Sequence, residues 1–157
     1  MSNDTEIFER TKKKFEEIKK ELGFKVSFEE VDGIFFISDA AANAGFVSEK
    51  AFSRQLCSRI VETYMRWNDY LHNLIMSNPH YLIQMQESKA LNEEDRKKIS
   101  KLIGKAMALV SENSLIGLTK NKIQEGKFID ESVKFWNETY KPELIYLIDK
   151  IHNGWKK

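Results

Sequence analysis

The chain has 157 residues, which fits a single domain, and its 25 basic and 24 acidic side chains give no general attraction to nucleic acid or anionic membranes. One cysteine excludes an internal disulfide, few prolines and glycines favour long regular elements, and no apolar run approaches a membrane span. We therefore expect one soluble, cytoplasmic domain, 1–157, with no membrane partner.

The first predicted element is an amphipathic helix over residues 4–22. Asn3 is its predicted N-cap, with Glu6 as the reciprocal partner, and Gly23 is the residue type that ends helices in a left-handed conformation. Helically spaced positions form its inner face: Ile7, Thr11, Phe15, Ile18 and Leu22.

Residues 24–37 admit two interpretations. Apolar residues alternate at the start of this stretch, and Asp32-Gly33 is a pair that tight hairpins prefer, so a short β-hairpin is one alternative. However, Ser27 and Glu30 match a capping box, which favours a helix. One face of that helix would carry Phe28, Val31 and Phe35. We favour the helix.

The central helix is the strongest predicted element. Residues 38–44 are helical in preference and end at Gly45, after which Ser48 caps a helix over 49–77. Its apolar stripe comprises Phe52, Leu56, Ile60, Tyr64, Trp67, Leu71 and Leu74. At 1.5 Å per residue this helix is about 43 Å long, which predicts an elongated bundle.

The next two helices are predicted from capping residues and one repeat. Pro79 fits the first position of a short helix over 79–90, and Asn92 caps a helix over 93–125 that ends at Gly126. A seven-residue repeat supports that long helix: Leu102, Leu109, Ile116 and Ile123.

The last predicted helix runs from about Asp130 to 153. Its apolar phase is kept through Pro142, which indicates one kinked helix rather than two. The predicted fold is therefore all-α: an elongated, largely antiparallel four-to-five-helix bundle.

Motifs for metal or cofactor binding are not evident in the sequence. Two carboxylate–imidazole pairs come nearest to the pattern of di-metal bundles: Asp69 with His72, and Asp149 with His152. Both pairs fall on predicted outer faces, and Cys57 falls at the edge of a core stripe without a neighbouring activating group. We therefore predict no metal, no cofactor and no identified catalytic residue.

One segment, residues 37–56, carries a sharper pattern. The segment contains Ala41, then Gly45-Phe46, and then Phe52-Ser53-Arg54 without gaps, and it resembles the helix-turn-helix of the arabinose-regulator family. The resemblance implies that Ala41 lies where two helices touch, that Gly45 lies at the turn and that Phe46 fills a small core. The resemblance implies that a DNA major groove would be contacted by Ser48, Glu49, Lys50, Ser53 and Arg54.

The same join is also typical of a corner between bundle helices. The apolar stripe continues to Leu74, well beyond the length of a recognition helix. The main hypothesis is therefore a non-enzymatic helical bundle that acts by protein–protein association, with self-association into a homodimer as one form. A helix-turn-helix DNA-binding regulator is the first alternative, and an enzyme with an unrecognised site is the second.

Overall fold

The computed structural model describes residues 2–44 and 51–157, and every regular element in those ranges is helical. In chain order the helices are α1 (Asn3–Leu22), α2 (Phe28–Phe35), α3 (Ile37–Ala44), α4 (Phe52–Ile75), α5 (Leu82–Lys89), α6 (Glu93–Thr119), α7 (Lys122–Phe135), a π-helical turn (Trp136–Tyr140) and α8 (Lys141–Trp155). The all-α prediction is confirmed, and the hairpin alternative for 24–37 is wrong. None of these helices combines the length and apolar character needed to cross a membrane.

The chain divides into two compact units. Unit 1 comprises Met1–Thr63 and Ser111–Val133, and unit 2 comprises Tyr64–Val110 and Lys134–Lys157. Helices α4, α6 and α7 contribute residues to both units. The apolar stripe that the sequence predicts for the central helix is confirmed on α4. All its side chains are buried except Trp67, which is half-buried.

Both ends of α1 are capped. The N-cap is Ser2, whose Oγ accepts from the backbone N of Thr5 at 3.4 Å, so the prediction of Asn3 was wrong by one residue. Gly23 adopts φ 73°, and its N–H donates to the carbonyl of Lys19. The predicted left-handed end is therefore confirmed.

Helix α2 forms where the hairpin was the alternative. Ser27 Oγ accepts from the backbone N of Glu30 at 3.2 Å, as the capping box predicts. The Asp32 carboxylate accepts from the backbone N of Ser38 at 2.7 Å and from its Oγ, so Asp32 joins α2 to α3 instead of forming a tight turn. The face that a strand would have split is wholly buried: Phe28, Val31 and Phe35.

The boundary between α6 and α7 differs from the prediction. Helix α6 ends at Thr119, followed by Lys120 at φ 54°, and Asn121 Oδ1 accepts from the backbone N of Gln124 at the start of α7. The last helix therefore begins at Lys122 rather than near Asp130. Gly126 lies inside α7 instead of ending a helix.

Gly126 permits a close approach between α7 and the end of α1. A Cβ at this position would collide with the backbone carbonyl of Leu22. A second contact nearby fixes the same junction, because the Asp130 carboxylate accepts from the backbone N–H groups of Lys25 and Val26, at 2.9 and 3.0 Å. The linker between α1 and α2 is thus held against α7.

The chain stays helical through Pro142, as predicted. The backbone N–H of Lys141 donates to the carbonyl of Trp136, five residues back, which widens the turn before the proline. This π turn accommodates Pro142, because its ring lacks an N–H and would crowd the carbonyl four residues earlier in a regular α-helix.

In unit 2, the α4–α5 connection is a turn rather than a helix start. Asn78 Oδ1 accepts from the backbone N of His80 at 2.9 Å, which holds Pro79 outside the helix, and α5 begins only at Leu82. The prediction of a helix from residue 79 was therefore wrong. The predicted cap of α6 is confirmed, because Asn92 Oδ1 accepts from the N of Asp95 at 2.9 Å.

Candidate functional site

Of the five residues that the resemblance implies for DNA contact, the structure describes two. Ser48, Glu49 and Lys50 lie outside the described residues, as does the predicted turn at Gly45. Ser53 is buried on α4, and the Arg54 side chain, one-third exposed, bonds to groups of unit 1. DNA binding by this segment stays a prediction.

The group that holds Arg54 is a buried carboxylate on α7. Glu125 is 2% exposed, and its Oε2 lies 3.1 Å from Arg54 Nη1 while its Oε1 lies 3.5 Å from Lys122 Nζ. Arg54 Nη2 donates to the backbone carbonyl and to Oδ1 of Asn113, at 3.2 and 3.0 Å. Both oxygens of Glu125 are therefore engaged with cations, which favours a structural role for the cluster over acid–base chemistry.

The single cysteine lies beside this cluster. Cys57 is fully buried, and burial raises the pKa of its thiol to about 12, with a further contribution from the charge of Glu125. The thiolate is the reactive form of cysteine, so Cys57 is a poor nucleophile at neutral pH. Its predicted place in the core is confirmed.

Both carboxylate–imidazole pairs lie on the surface. The exposed residues are Asp69, His72, Asp149 and His152. Asp149 accepts a hydrogen bond from Asn153 Nδ2 at 3.3 Å. Across the described ranges, no three His, Cys, Asp or Glu side chains are grouped so that they would hold a metal ion.

In unit 2, a buried carboxylate joins α6 to α8. Asp95 is 1% exposed, and its oxygens accept from Lys150 Nζ at 2.7 Å, from Tyr146 Oη at 3.0 Å and from the backbone N of Asn92 at 3.0 Å. Burial would raise the pKa of Asp95, but these hydrogen bonds hold the pKa below its ordinary value. The hydrogen bond with Asp95 raises the pKa of Lys150. The Asp95–Lys150 ion pair therefore links α6 to α8.

An aromatic cluster surrounds the π turn. Tyr140 Oη donates to Asn68 Oδ1 at 2.7 Å, and the rings of Tyr64, Trp136 and Tyr140 pack with centroids 5.1 to 6.0 Å apart. Burial raises the pKa of Tyr64 and of Tyr140, so both phenols are protonated at neutral pH. The cluster stabilises unit 2 and offers no titrating group for catalysis.

Among the described residues of unit 1, the most exposed aliphatic side chains lie near the α6–α7 turn. Leu115 is 61% exposed, Leu118 82% and Ile123 72%. The two leucines are three residues apart and share one face of α6, and Ile123 stands one residue into α7. We call these three residues the α6–α7 patch. The sequence places Ile123 in the seven-residue repeat of one helix over 93–125, whereas the structure places it on α7, beyond the end of α6.

A second group of exposed apolar side chains lies in unit 2. Around the α4–α5 connection, the side chains that are half or more exposed are Met76, Tyr81, Leu82 and Ile83. This segment provides a matched comparison for the α6–α7 patch, because its side chains are of similar size and exposure.

Comparison with known proteins finds no matching family model, no similar curated protein and no similar solved structure.

Proposed function

We propose that the protein is a non-enzymatic helical bundle that acts by protein–protein association, and that a second copy of the chain covers the α6–α7 patch. The observation that carries this proposal is the exposure of Leu115, Leu118 and Ile123 on adjoining helix ends. Contiguous exposed aliphatic side chains of this size mark interaction surfaces more often than isolated ones do.

Burial of these side chains supplies the driving force. Full burial of a leucine or isoleucine side chain is favourable by about 1.5–3 kcal/mol relative to full exposure. Burial of all three side chains is therefore favourable by several kcal/mol. This is comparable with the contribution of the few central residues that dominate the binding free energy of an interface.

The charges beside the α6–α7 patch favour a second copy as the occupant. Lys127 and Glu131 follow Ile123 at helical spacing on α7, and Glu112 precedes Leu115 by three residues on α6. Both signs are thus present on one surface. In a two-fold symmetric pair, where each copy presents the same surface, the lysine of one copy would meet a carboxylate of the other.

The mass of the protein in solution tests the proposal. Sedimentation equilibrium over a wide concentration range should give a species of twice 18.4 kDa for the wild type. Leu118→Glu places a charge in the centre of the α6–α7 patch and should return the mass to 18.4 kDa. Leu118 is 82% exposed in the single chain, so the substitution leaves the core intact.

The matched control is Leu82→Glu, which changes a leucine of similar exposure in unit 2. This variant should keep the mass of the wild type. A wild-type mass of 18.4 kDa at the highest concentration would overturn the proposal, as would a dimer that Leu118→Glu leaves unchanged.

A further inference from the structure

Four lysines line one stretch of α6 in unit 2. Lys97, Lys101 and Lys105 follow one another at intervals of four residues, with Lys98 beside them. At this interval the side chains stand on one helix face, about 6 Å apart along the axis. We call these four residues the α6 lysine face.

The α6 lysine face borders two depressions that share Lys98 and Lys101. The larger, of about 710 Å³, is lined by Ile75, Glu93, Glu94, Arg96, Lys97, Lys98, Ser100 and Lys101. The smaller, of about 100 Å³, is lined by Lys98, Lys101, Leu102, Lys105, Thr139 and Glu143. Cationic side chains outnumber carboxylates in both. The residues from Glu93 to Lys105 span about 18 Å of helix.

Helical neighbours do not compensate the charges at the centre of this face. Lys101 has Lys97 four residues before it, Lys98 three before it and Lys105 four after it, while Gly104 takes the remaining neighbouring position. Like charges at these spacings destabilise a helix. Within the described ranges, the side chains of Lys101 and Lys105 make no hydrogen bond and no ion pair.

The described carboxylates that line the two depressions are Glu93 and Glu94 in the larger one and Glu143 in the smaller one. Glu93 and Glu94 occupy the first turn of α6, where the helix dipole favours negative charge. Among the described residues, Glu143 is the one carboxylate that lines the smaller depression, against three lysines. Unit 2 as a whole carries twelve basic and eight acidic residues, so the surplus on α6 is not cancelled elsewhere in that unit.

We infer that the α6 lysine face binds a linear phosphate polyanion, with Lys98, Lys101 and Lys105 at successive phosphate groups. Lys98 Nζ and Lys150 Nζ lie 4.6 and 5.0 Å from the centre of the Tyr146 ring. That ring already faces two ammonium groups, so the phosphate chain rather than a stacked base is what this surface recognises. Inorganic polyphosphate and single-stranded nucleic acid share this chemistry.

Fluorescence anisotropy with a labelled single-stranded oligonucleotide tests the inference, with inorganic polyphosphate as competitor. Three phosphate contacts should weaken binding about 20-fold between about 50 and 200 mM salt. Lys101→Gln combined with Lys105→Gln should weaken binding about tenfold at low salt and lower the salt slope by about 1.4. Polyphosphate should displace the oligonucleotide. Comparison of the two affinities shows whether the protein prefers polyphosphate or single-stranded nucleic acid.

The control is Lys13→Gln combined with Lys20→Gln, two exposed lysines of α1 in unit 1, which should bind as the wild type does. Glutamine keeps helix propensity, and circular dichroism checks that both variants are folded. No binding at about 50 mM salt would overturn the inference, and so would equal losses in both double variants or a failure of polyphosphate to compete. If Lys50→Ala abolishes binding while Lys101→Gln combined with Lys105→Gln leaves it unchanged, the inference is overturned in favour of the helix-turn-helix alternative.

Discussion

Arg54 Nη1 lies 3.1 Å from Glu125 Oε2, and this ion pair joins α4 to α7 within unit 1. The carboxylate is 2% exposed, whereas a third of the Arg54 side chain remains in contact with solvent. A buried carboxylate is strongly unfavourable unless a cation and hydrogen bonds compensate it. The arginine that would contact DNA in the helix-turn-helix alternative therefore packs against a buried carboxylate in this fold.

Arg54→Ala should lower the free energy of unfolding by about 3 kcal/mol, because it leaves Glu125 with Lys122 as its remaining cation. Urea denaturation measures the change. Arg66→Ala, an exposed arginine on the same helix, is the control and should change stability by less than about 0.5 kcal/mol. Similar small effects from both substitutions would contradict the structural role of Arg54.

Two glycines should respond to alanine in opposite directions. Gly126→Ala should destabilise the protein by about 1–3 kcal/mol, because the added methyl group collides with the carbonyl of Leu22. Gly104→Ala places a methyl group in open space on α6 and should stabilise the protein by up to about 1 kcal/mol. Thermal denaturation of the two variants provides the comparison. A stabilising Gly126→Ala would show that α1 and α7 are further apart than described.

The Asp95–Lys150 ion pair should make the protein less stable at acidic pH than at neutral pH. The pKa of Asp95 is lowered in the folded state, so its contribution is present above the unfolded pKa of about 3.9 and is lost as pH falls through the folded pKa. Asp95→Asn should lower the Tm at neutral pH, and its difference from the wild type should shrink below about pH 3.9. Melting curves from neutral to strongly acidic pH test this, and a constant difference would refute it.

Cys57 should not react with thiol reagents in the folded protein. Burial raises the pKa of its thiol to about 12, far above neutral pH, and its side chain is fully buried, so the reactive thiolate is scarce. A thiol reagent such as Ellman's should therefore label it only after unfolding in guanidinium. Rapid labelling of the folded protein would contradict the described packing around Cys57.

Helix ends with a local chemical signal could be predicted from the sequence. The capping residues Ser27 and Asn92 and the helix end at Gly23 are placed correctly, because each acts on backbone groups within four residues. Asn3 was wrong because Ser2, one residue earlier, has an equally suitable oxygen. The end of α6 could not be predicted, because it depends on a left-handed conformation of Lys120, and lysine is not a residue type that favours this conformation.

The surfaces that matter for function depend on tertiary packing, which periodicity does not resolve. Ile116 and Ile123 belong to one seven-residue repeat, yet Ile116 is buried and Ile123 is 72% exposed, because the chain turns between them. Glu125 follows two residues later and would be assigned to solvent by its charge. Its one local signal is Lys122 three residues before it, a spacing that is common on exposed helix faces.

Cross-linking between copies tests most directly the central claim that a second copy covers the α6–α7 patch. Leu118→Cys introduces one accessible thiol, since the native Cys57 is buried. A short bis-maleimide should convert this variant to a covalent dimer, whereas Leu82→Cys, also exposed, should remain a single chain. Equal cross-linking of the two variants, or none in Leu118→Cys, would contradict the claim.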